Sequence, residues 1–424
     1  MKYRVLVFPC GSEIGLEINR ALRFSLNIEL YGASSTDDHG RFAYSNYIGG
    51  LPYIDNENFI EEFNKFIRQY HIDFIYPAHD SVVLLIAENQ GRIAAKQIGS
   101  PPETARICRS KYSTYQIFKE IINTPHIYET LEEVNEYPVF LKPDVGQGAM
   151  GVHSAKNVTE ASFYLEKDPS LLILEYLPGK EFTVDCFTDK FGELRFVGAR
   201  ERVRIMHGIS VHTCPVNDNS EFYSIAKKIN EKLIFRGAWF FQAKINRENH
   251  LCLLEISPRI AGSMALYRNL GVNFALLSVF DALDQNIAVC VNDFPIQMDR
   301  ALSNKYKVGL NYQHVYVDLD DCIILEKKIN ILIIAFLYQC LNNNIKIHLL
   351  TRHEKDIFQT LSEYRIKDIF QSIDHIQDKH HPKSSYIKEF PAILIDDSFR
   401  ERSEVHQTLQ IPVFATDAVE CLML

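Results

Sequence analysis

Lys142 and three glycines, Gly146, Gly148 and Gly151, follow a short apolar run, Val139 to Leu141, that reads as a buried strand. Glycines let backbone N–H groups come close to a phosphate, and a lysine supplies the charge. The same glycines would also serve an ordinary hairpin, and their spacing alone does not choose. Two other phosphate-binding designs are excluded. A dinucleotide fingerprint needs a helix directly after the glycines, whereas Val152 and His153 continue as a strand. A Walker A loop needs Gly-Lys-Ser/Thr, which does not follow here. The design left is a flexible glycine hairpin lying over nucleotide phosphates, with a lysine on the adjoining strand.

Further residues can be set against that idea. The run Leu171 to Leu174 reads as a strand that ends on Glu175-Tyr176-Leu177 and breaks at Pro178-Gly179. Such a hinge offers exposed backbone beside apolar side chains, which suits adenine, and Glu181 beyond it could accept hydrogen bonds from a sugar. Solvated hairpin glutamates are the plainer alternative. Arg200, Arg202 and Arg204 alternate, so a regular strand would put all three on one face, suited to phosphate or carboxylate. A solvated cationic edge explains them as well. Gly237 to Lys244 and Leu251 to Gly262 read as a hairpin carrying Gln242, Glu255, Ser257 and Arg259. Oxygen ligands gathered there suit Mg²⁺. The turn Gly11 to Gly15 could bind an anion at a helix start, and His79-Asp80 ends a strand, with helix capping the simpler role for Asp80.

The last third has its own pattern. Strands end in Asp318-Leu-Asp320-Asp321, in Thr351 and in Asp396-Asp397, and Lys383 follows Pro382. Carboxylates at the C-terminal ends of neighbouring parallel strands converge on one crevice. Several of them together call for a divalent cation and a lysine, and one carboxylate can attack phosphorus. An acidic strand end with no further role is the plain alternative. His375, His380 and His381 read as solvated loop histidines rather than a zinc site.

These groups must be held by at least two domains, since 424 residues exceed one typical domain. Residues 1–100 alternate strand and helix, which implies a parallel sheet covered by helices. Ser100-Pro-Pro-Glu marks a boundary, a helix is expected from Ile107 to Ile121, and about residues 292–310 read as a linker before a new α/β pattern. The formal charge of −9, without a Lys/Arg-rich run, argues against nucleic acid or an anionic membrane as the main partner. Nine cysteines without a Cys-x-x-Cys pair suggest free thiols in a reducing compartment. No leader opens the chain, and the apolar run Ile329 to Cys340 is too short to span a bilayer. A cytoplasmic protein is the expectation.

The ordered set of Lys111, Lys142 with its glycines, Glu175-Tyr176-Leu177, Glu181, Gln242 and Glu255-Ile-Ser-Pro-Arg259 resembles the ATP-grasp superfamily, especially the carbamoyl-phosphate-synthetase-like carboxylate–amine ligases. The resemblance covers roughly residues 1–300. It implies an α/β fold with a Rossmann-like pre-ATP-grasp domain over residues 1–100 and an ATP-grasp domain over 101–300. It places Lys111 and Lys142 on ATP phosphates, Glu175, Tyr176 and Leu177 on adenine, and Glu181 on ribose. Gln242 and Glu255 would bind Mg²⁺, for which Mn²⁺ can substitute. Arg259, with Arg202 or Arg204, would hold the acyl phosphate or acceptor carboxylate. The family usually has Asn where this chain has Ser257, which puts a second metal in doubt. The implied substrates are a small carboxylate and an amine.

Residues 311–424 resemble a capless haloacid-dehalogenase-like (HAD) phosphatase, a Rossmannoid α/β domain. That resemblance makes Asp318 the nucleophile and Asp320 the general acid/base. Thr351 and Lys383 would hold the phosphoryl group of a phosphorylated substrate, and Asp318, Asp320 and Asp396 or Asp397 would hold Mg²⁺. The combined expectation is a bifunctional ligase and phosphatase. Phosphorylation without ligation is one alternative, and a nucleotide sensor with one or both sites inactive is another. Oligomeric state stays open, a homodimer included.

Overall fold

The computed structural model describes residues 2–146, 148, 150–378 and 380–423. The chain divides into two compact units, Met1–Leu302 and Ser303–Leu424. No helix among the described residues is long and apolar enough to cross a membrane.

The first unit opens with five parallel strands: β1 (Tyr3–Phe8), β2 (Ile28–Ala33), β3 (Asn46–Ile48), β4 (Phe74–Pro77) and β5 (Lys96–Gln97). They lie in the order β3-β2-β1-β4-β5. Val5 and Val7 pack into one apolar cluster and Leu6 and Phe8 into another, so the period-two alternation of β1 buries both faces of this sheet. The helix Glu13–Leu22 starts where Ser12 accepts the Gly15 N–H. Gly15 has no alternative there, because a Cβ would meet the Cys10 carbonyl oxygen at 2.4 Å.

A four-stranded antiparallel sheet follows, in the order β6-β9-β7-β8: β6 (Ile127–Tyr128), β7 (Val139–Pro143), β8 (His153–Ala155) and β9 (Leu171–Glu175). A six-stranded sheet completes the unit: β10 (Glu181–Thr188), β11 (Leu194–Met206), β12 (Ile209–Pro215), β13 (Gly237–Ile245), β14 (Leu251–Ser257) and β15 (Met298–Asp299). Its order is β14-β13-β10-β11-β12-β15, antiparallel throughout.

Three boundaries differ from the sequence expectation. The expected helix Ile107–Ile121 is two helices, Pro102–Arg109 and Lys111–Phe118, separated at Ser110, whose hydroxyl caps the second by accepting the Ser113 N–H. The Ser100-Pro-Pro stretch does not separate two compact units. Pro101 and Pro102 start a helix, as their fixed φ favours, and Ser100 is buried with its hydroxyl accepting the Arg236 N–H. One apolar cluster joins Ile14, Ile18 and Leu22 to Ile260, Leu266, Phe274 and Val279, so residues from both ends of the unit share a core. Finally, part of the expected linker is ordered, since β15 pairs with β12.

The second unit carries a parallel five-stranded sheet in the order β20-β19-β16-β21-β22: β16 (His314–Val317), β19 (Lys346–Thr351), β20 (Ser372–His375), β21 (Ala392–Ile395) and β22 (Val413–Phe414). Val315, Ile347 and Ile393 bury one face, and Tyr316, Leu350 and Leu394 the other. Between β16 and β19 lie a small hairpin, β17 (Ile324–Leu325) with β18 (Lys328–Ile329), and the helix Ile331–Asn342.

Candidate nucleotide and aspartate sites

In the first unit a row of candidate side chains runs across one face of the six-stranded sheet. Register places Arg200 of β11 opposite Thr183 of β10, Thr183 opposite Gln242 of β13, and Gln242 opposite Glu255 of β14. These cross-strand neighbours form one row. Two residues along, Glu181 faces Lys244 in the next row on the same side. The glycine loop and the helix Lys111–Phe118 reach this row from another element.

A cavity of about 280 Å³ lies between the row and the loop. It is near the small end of ligand sites. Lys111, Lys142, Gly146 and Gly148 line it together with Glu175, Tyr176, Leu177 and Glu181, beside apolar Phe140 and Leu254. The structure therefore brings together the residues expected to hold ATP. Gly151 lies in the same loop at φ 68°, a left-handed backbone that favours glycine, but it does not line the cavity. The Glu175 carboxylate accepts the His126 N–H at 3.2 Å, which ties β9 to the entry of β6.

Lys142 is buried at 6 % exposure. Its Nζ donates to the Tyr115 hydroxyl at 2.7 Å, and that hydroxyl donates to the Leu254 carbonyl at 2.6 Å. Burial pushes the Lys142 ammonium down to about 7, against the attraction of Glu255 and with repulsion from Lys111. Lys111 is lowered too, first by burial, and its Nζ donates to the Asp144 carbonyl at 3.1 Å. Both lysines are partly desolvated, and Glu255 and Asp144 act on each of them. A polyphosphate would add negative charge that favours their ammonium forms. Gln242 and Glu255, side by side at this row, are oxygen donors fit for Mg²⁺.

A second cavity of about 290 Å³ adjoins the first and shares Lys111, Gly146, Gly148, Arg202, Gln242 and Glu255 with it. Its other walls include Ser12, His79, Asp80, Ser257 and Arg259. Asp80 does more than begin the helix Asp80–Glu88. Arg259 clamps it in a bidentate pair, Nε to Oδ1 at 2.8 Å and Nη2 to Oδ2 at 2.6 Å, and the Ser257 hydroxyl donates to Oδ1 at 2.7 Å. Burial alone would raise this carboxyl. Arg259 and Ser257 outweigh it and hold Asp80 well below the usual carboxylate range. Ser257, expected on a metal, is thus committed to Asp80 instead, and Arg259 is paired before any substrate arrives.

The arginines also divide. Arg202 lies 2.9 Å from Glu181, which leaves Glu181 between Arg202 and, at 3.7 Å, Lys244. Arg204 does not share their face. Register shifts on both sides of it, against β12, break the period of two. Its guanidinium is exposed and pairs with Asp299 at 2.6 Å, so it joins neither cavity. Arg200 was legible only as part of the alternation. It is fully buried and bidentate to the equally buried Asp185, at 2.7 and 3.1 Å. Its Nη1 and the Thr183 Oγ1 have no hydrogen-bond partner among the described residues, and both residues line the second cavity. Thr183 and Asp185 alternate with Glu181 along β10, a signal that could have singled them out.

In the second unit Asp318, Lys383, Asp396 and Asp397 meet at the C-terminal end of the sheet, whereas Asp320, also expected on the metal, lies outside that cluster and pairs with His353. Lys383 Nζ lies 3.1 Å from Asp318 and 2.6 Å from Asp396. Asp318, Asp396 and Asp397 each bring an oxygen within 4.8 Å of the others, a set fit for a divalent cation. Burial pushes Asp318 up to about 6, with Lys383 opposing and Asp396 adding to the rise. Lys383 is raised, because the two carboxylates outweigh its own burial. Thr351 is buried at the end of β19, the strand next to β16, and accepts the His353 N–H at 3.3 Å. Asp320 is half exposed and pairs with His353 Nδ1 at 2.9 Å, whose Nε2 meets Thr360. His353 was not foreseen. Its place two residues beyond Thr351 was the available signal. His380 and His381 stay in an exposed loop, as expected, but His375 ends β20 half-buried, with its Nε2 2.6 Å from the His353 carbonyl oxygen.

Comparison with known proteins fits the first unit. A family profile described as "ATP-grasp in the biosynthetic pathway with Ter operon" matches residues 167–301. A D-alanine–D-alanine ligase of Fusobacterium nucleatum subsp. nucleatum is 28 % identical over 148 residues, 33 % of this chain and 52 % of that protein. Another, from Thermotoga petrophila, is 27 % identical over 108 residues, 24 % of this chain and 36 % of that protein. The chain spans about half or less of the length of these curated relatives. Among solved structures, an ADP complex of N5-carboxyaminoimidazole synthetase from Staphylococcus aureus superposes with a TM-score of 0.57 at 14 % identity, covering 71 % of this chain and 83 % of that one. The biotin carboxylase domain of Hydrogenobacter thermophilus 2-oxoglutarate carboxylase, complexed with MgADP, ADP and bicarbonate, gives 0.56 at 18 %, covering 68 % and 71 %. An L-amino acid ligase from Bacillus licheniformis gives 0.54 at 18 %, covering 67 % and 74 %. The first unit is thus built on the ATP-grasp fold, and its curated relatives are ligases.

Proposed function

We propose that the first unit is an ATP-dependent carboxylate–amine ligase. The observation that carries this reading is the shared wall: Lys111, Arg202, Gln242 and Glu255 face both cavities. A nucleotide in one cavity would therefore end beside an acceptor in the other. The substrate carboxylate oxygen attacks the γ-phosphorus of ATP, the bond to the β-phosphate oxygen breaks, and ADP leaves. The amine then attacks the acyl carbon of the acyl phosphate, expels inorganic phosphate and loses a proton. Lys111 and Lys142 hold the phosphates and neutralise charge as the phosphoryl group moves. Glu175, Tyr176 and Leu177 seat the adenine and Glu181 the ribose. Gln242 and Glu255 would hold Mg²⁺, which would supply positive charge against the phosphates. Arg202, paired with Glu181, and the Arg200 Nη1 that has no partner among the described residues would offer N–H donors to the acyl phosphate or acceptor carboxylate. The relatives named as ligases support this class, while the finer likeness to carbamoyl-phosphate-synthetase-like enzymes rests on motif order.

For the second unit we propose a Mg²⁺-dependent phosphohydrolase of the haloacid-dehalogenase type. The support is the buried Lys383 between Asp318 and Asp396, with Asp397 beside them and Thr351 ending the neighbouring strand. Asp318 would attack phosphorus, Asp320 with His353 would handle the proton, and Lys383 and Thr351 would hold the phosphoryl oxygens.

ADP release from Mg-ATP is measured against paired carboxylates and amines, in the full chain carrying Asp318→Asn. ADP that needs both a carboxylate and an amine supports the ligase. ADP that needs the carboxylate alone, with a stable phosphorylated product, would point to phosphorylation without ligation. ATP binding without turnover on any pair would leave a nucleotide sensor.

A further inference from the structure

We infer that the second unit holds a Zn²⁺ site at the end of its sheet opposite the aspartates. His314 opens β16, His348 lies on the neighbouring β19, and Glu389 stands just before β21. His314 Nδ1 is 3.0 Å from His348 Nε2 and 3.2 Å from Glu389 Oε2. One ligand atom from each of the three lies within 4.8 Å of the others. Ligands at about 2.0–2.2 Å from a tetrahedral Zn²⁺ stand about 3.3–3.6 Å from one another. The observed spacing is within a few tenths of an ångström of that along the two measured edges. Two imidazoles and a carboxylate are a donor set for Zn²⁺, whereas Mg²⁺ takes oxygen.

The three groups are also held in place. His348 Nδ1 lies 2.8 Å from the Ser372 hydroxyl, the kind of outer partner that orients a metal-binding imidazole. The Tyr316 ring stacks on His348 with centroids 4.5 Å apart. The Tyr316 hydroxyl accepts the backbone N–H groups of both Lys388 and Glu389 at 3.2 Å, which fixes the segment bearing the carboxylate. One tyrosine thus positions two of the three ligands. His314 and His348 are buried, while the Glu389 side chain is 48 % exposed, so a fourth position opens to water. Lys346 Nζ approaches Glu389 to 3.8 Å at this rim and would give way to the ion. The strand β16 separates the group from Asp318 by roughly 13 Å, so it is not the aspartate site.

The full chain carrying Asp318→Asn is stripped of metal and kept in excess Mg²⁺, which fills oxygen-donor sites. It is then titrated with Zn²⁺ in competition with a chromophoric chelator, and with Co²⁺ for its visible absorption. The expected result is one Zn²⁺ per chain and a Co²⁺ spectrum of tetrahedral type. Ser372→Ala weakens binding about tenfold, Glu389→Gln weakens it by more, and His348→Ala abolishes it. Glu389 is half exposed and Ser372 small, so those two variants decide the matter even where His348→Ala fails to fold. No competition by the unsubstituted site, or undiminished affinity in Glu389→Gln and Ser372→Ala, overturns the proposal. So does loss on His353→Ala alone, which would put the ion beside Asp320.

Discussion

Lys142 is the residue on which the nucleotide site turns. Its ammonium is held near pH 7 by burial, whereas in the unfolded chain it ionises near its ordinary value of about 10.4. Between these values the free folded site is largely neutral at Lys142 while an unfolded chain would be charged there. A bound polyphosphate favours the charged form and raises the pKa again. Nucleotide binding at pH 8 is therefore expected to take up a proton, and affinity to fall as pH rises above 7, by up to about tenfold per pH unit. Calorimetry of Mg-ATP binding in buffers of different ionisation enthalpy reads this directly. Lys142→Met should remove the proton uptake. Equal heats in all buffers for the unsubstituted chain would show that Lys142 is already charged. Lys142 was legible in the sequence because its strand and glycines are local. The Asp80–Arg259–Ser257 clamp was not, because residues 177 and 179 positions apart meet only through packing of the first sheet against the hairpin β13–β14.

Among the elements, the helix Lys111–Phe118 presents Lys111 to the site, and its position depends on one short junction. The Ser110 hydroxyl caps the helix and donates to Asp144 Oδ1 at 3.0 Å, and that oxygen also accepts the Tyr112 N–H at 2.7 Å. Helix and glycine loop are thereby tied together. Ser110→Ala is expected to cost about 1 kcal/mol of stability through the lost cap and also to weaken ATP binding several-fold, read by urea unfolding and by nucleotide titration. Loss of stability with unchanged affinity would mean that the tie does not position Lys111. The sequence suggested one longer helix here because the apolar positions on either side of Ser110 continue the same pattern. A capping serine is visible only once the turn is known. The alternation of Arg200, Arg202 and Arg204 misled for a related reason. A bulge adds a residue without changing the composition, and Arg204 leaves the face that the count assigns to it.

At the scale of the molecule, the residues expected to form a separate first domain do not stand alone. Ile14, Ile18 and Leu22 bury their side chains against residues from Ile260 to Val279. A fragment of residues 1–100 is expected to expose that face and to associate or remain partly unfolded, whereas residues 1–302 unfold in one transition. Circular dichroism and sedimentation of the two fragments check this. A monomeric, cooperatively folded 1–100 fragment would contradict it. The order of strands and helices, and the two groups of motifs, were legible because each depends on local periodicity and strand ends. The sharing of one core was not, because it joins segments more than two hundred residues apart. The central claim, acyl transfer through a phosphorylated carboxylate, is tested most directly by isotope. A carboxylate substrate labelled with ¹⁸O is turned over with its amine and ATP, and the inorganic phosphate is analysed by mass. One ¹⁸O in each phosphate released is the predicted result, because the carboxylate oxygen that attacks phosphorus leaves with it. Unlabelled phosphate alongside amide product would contradict the account.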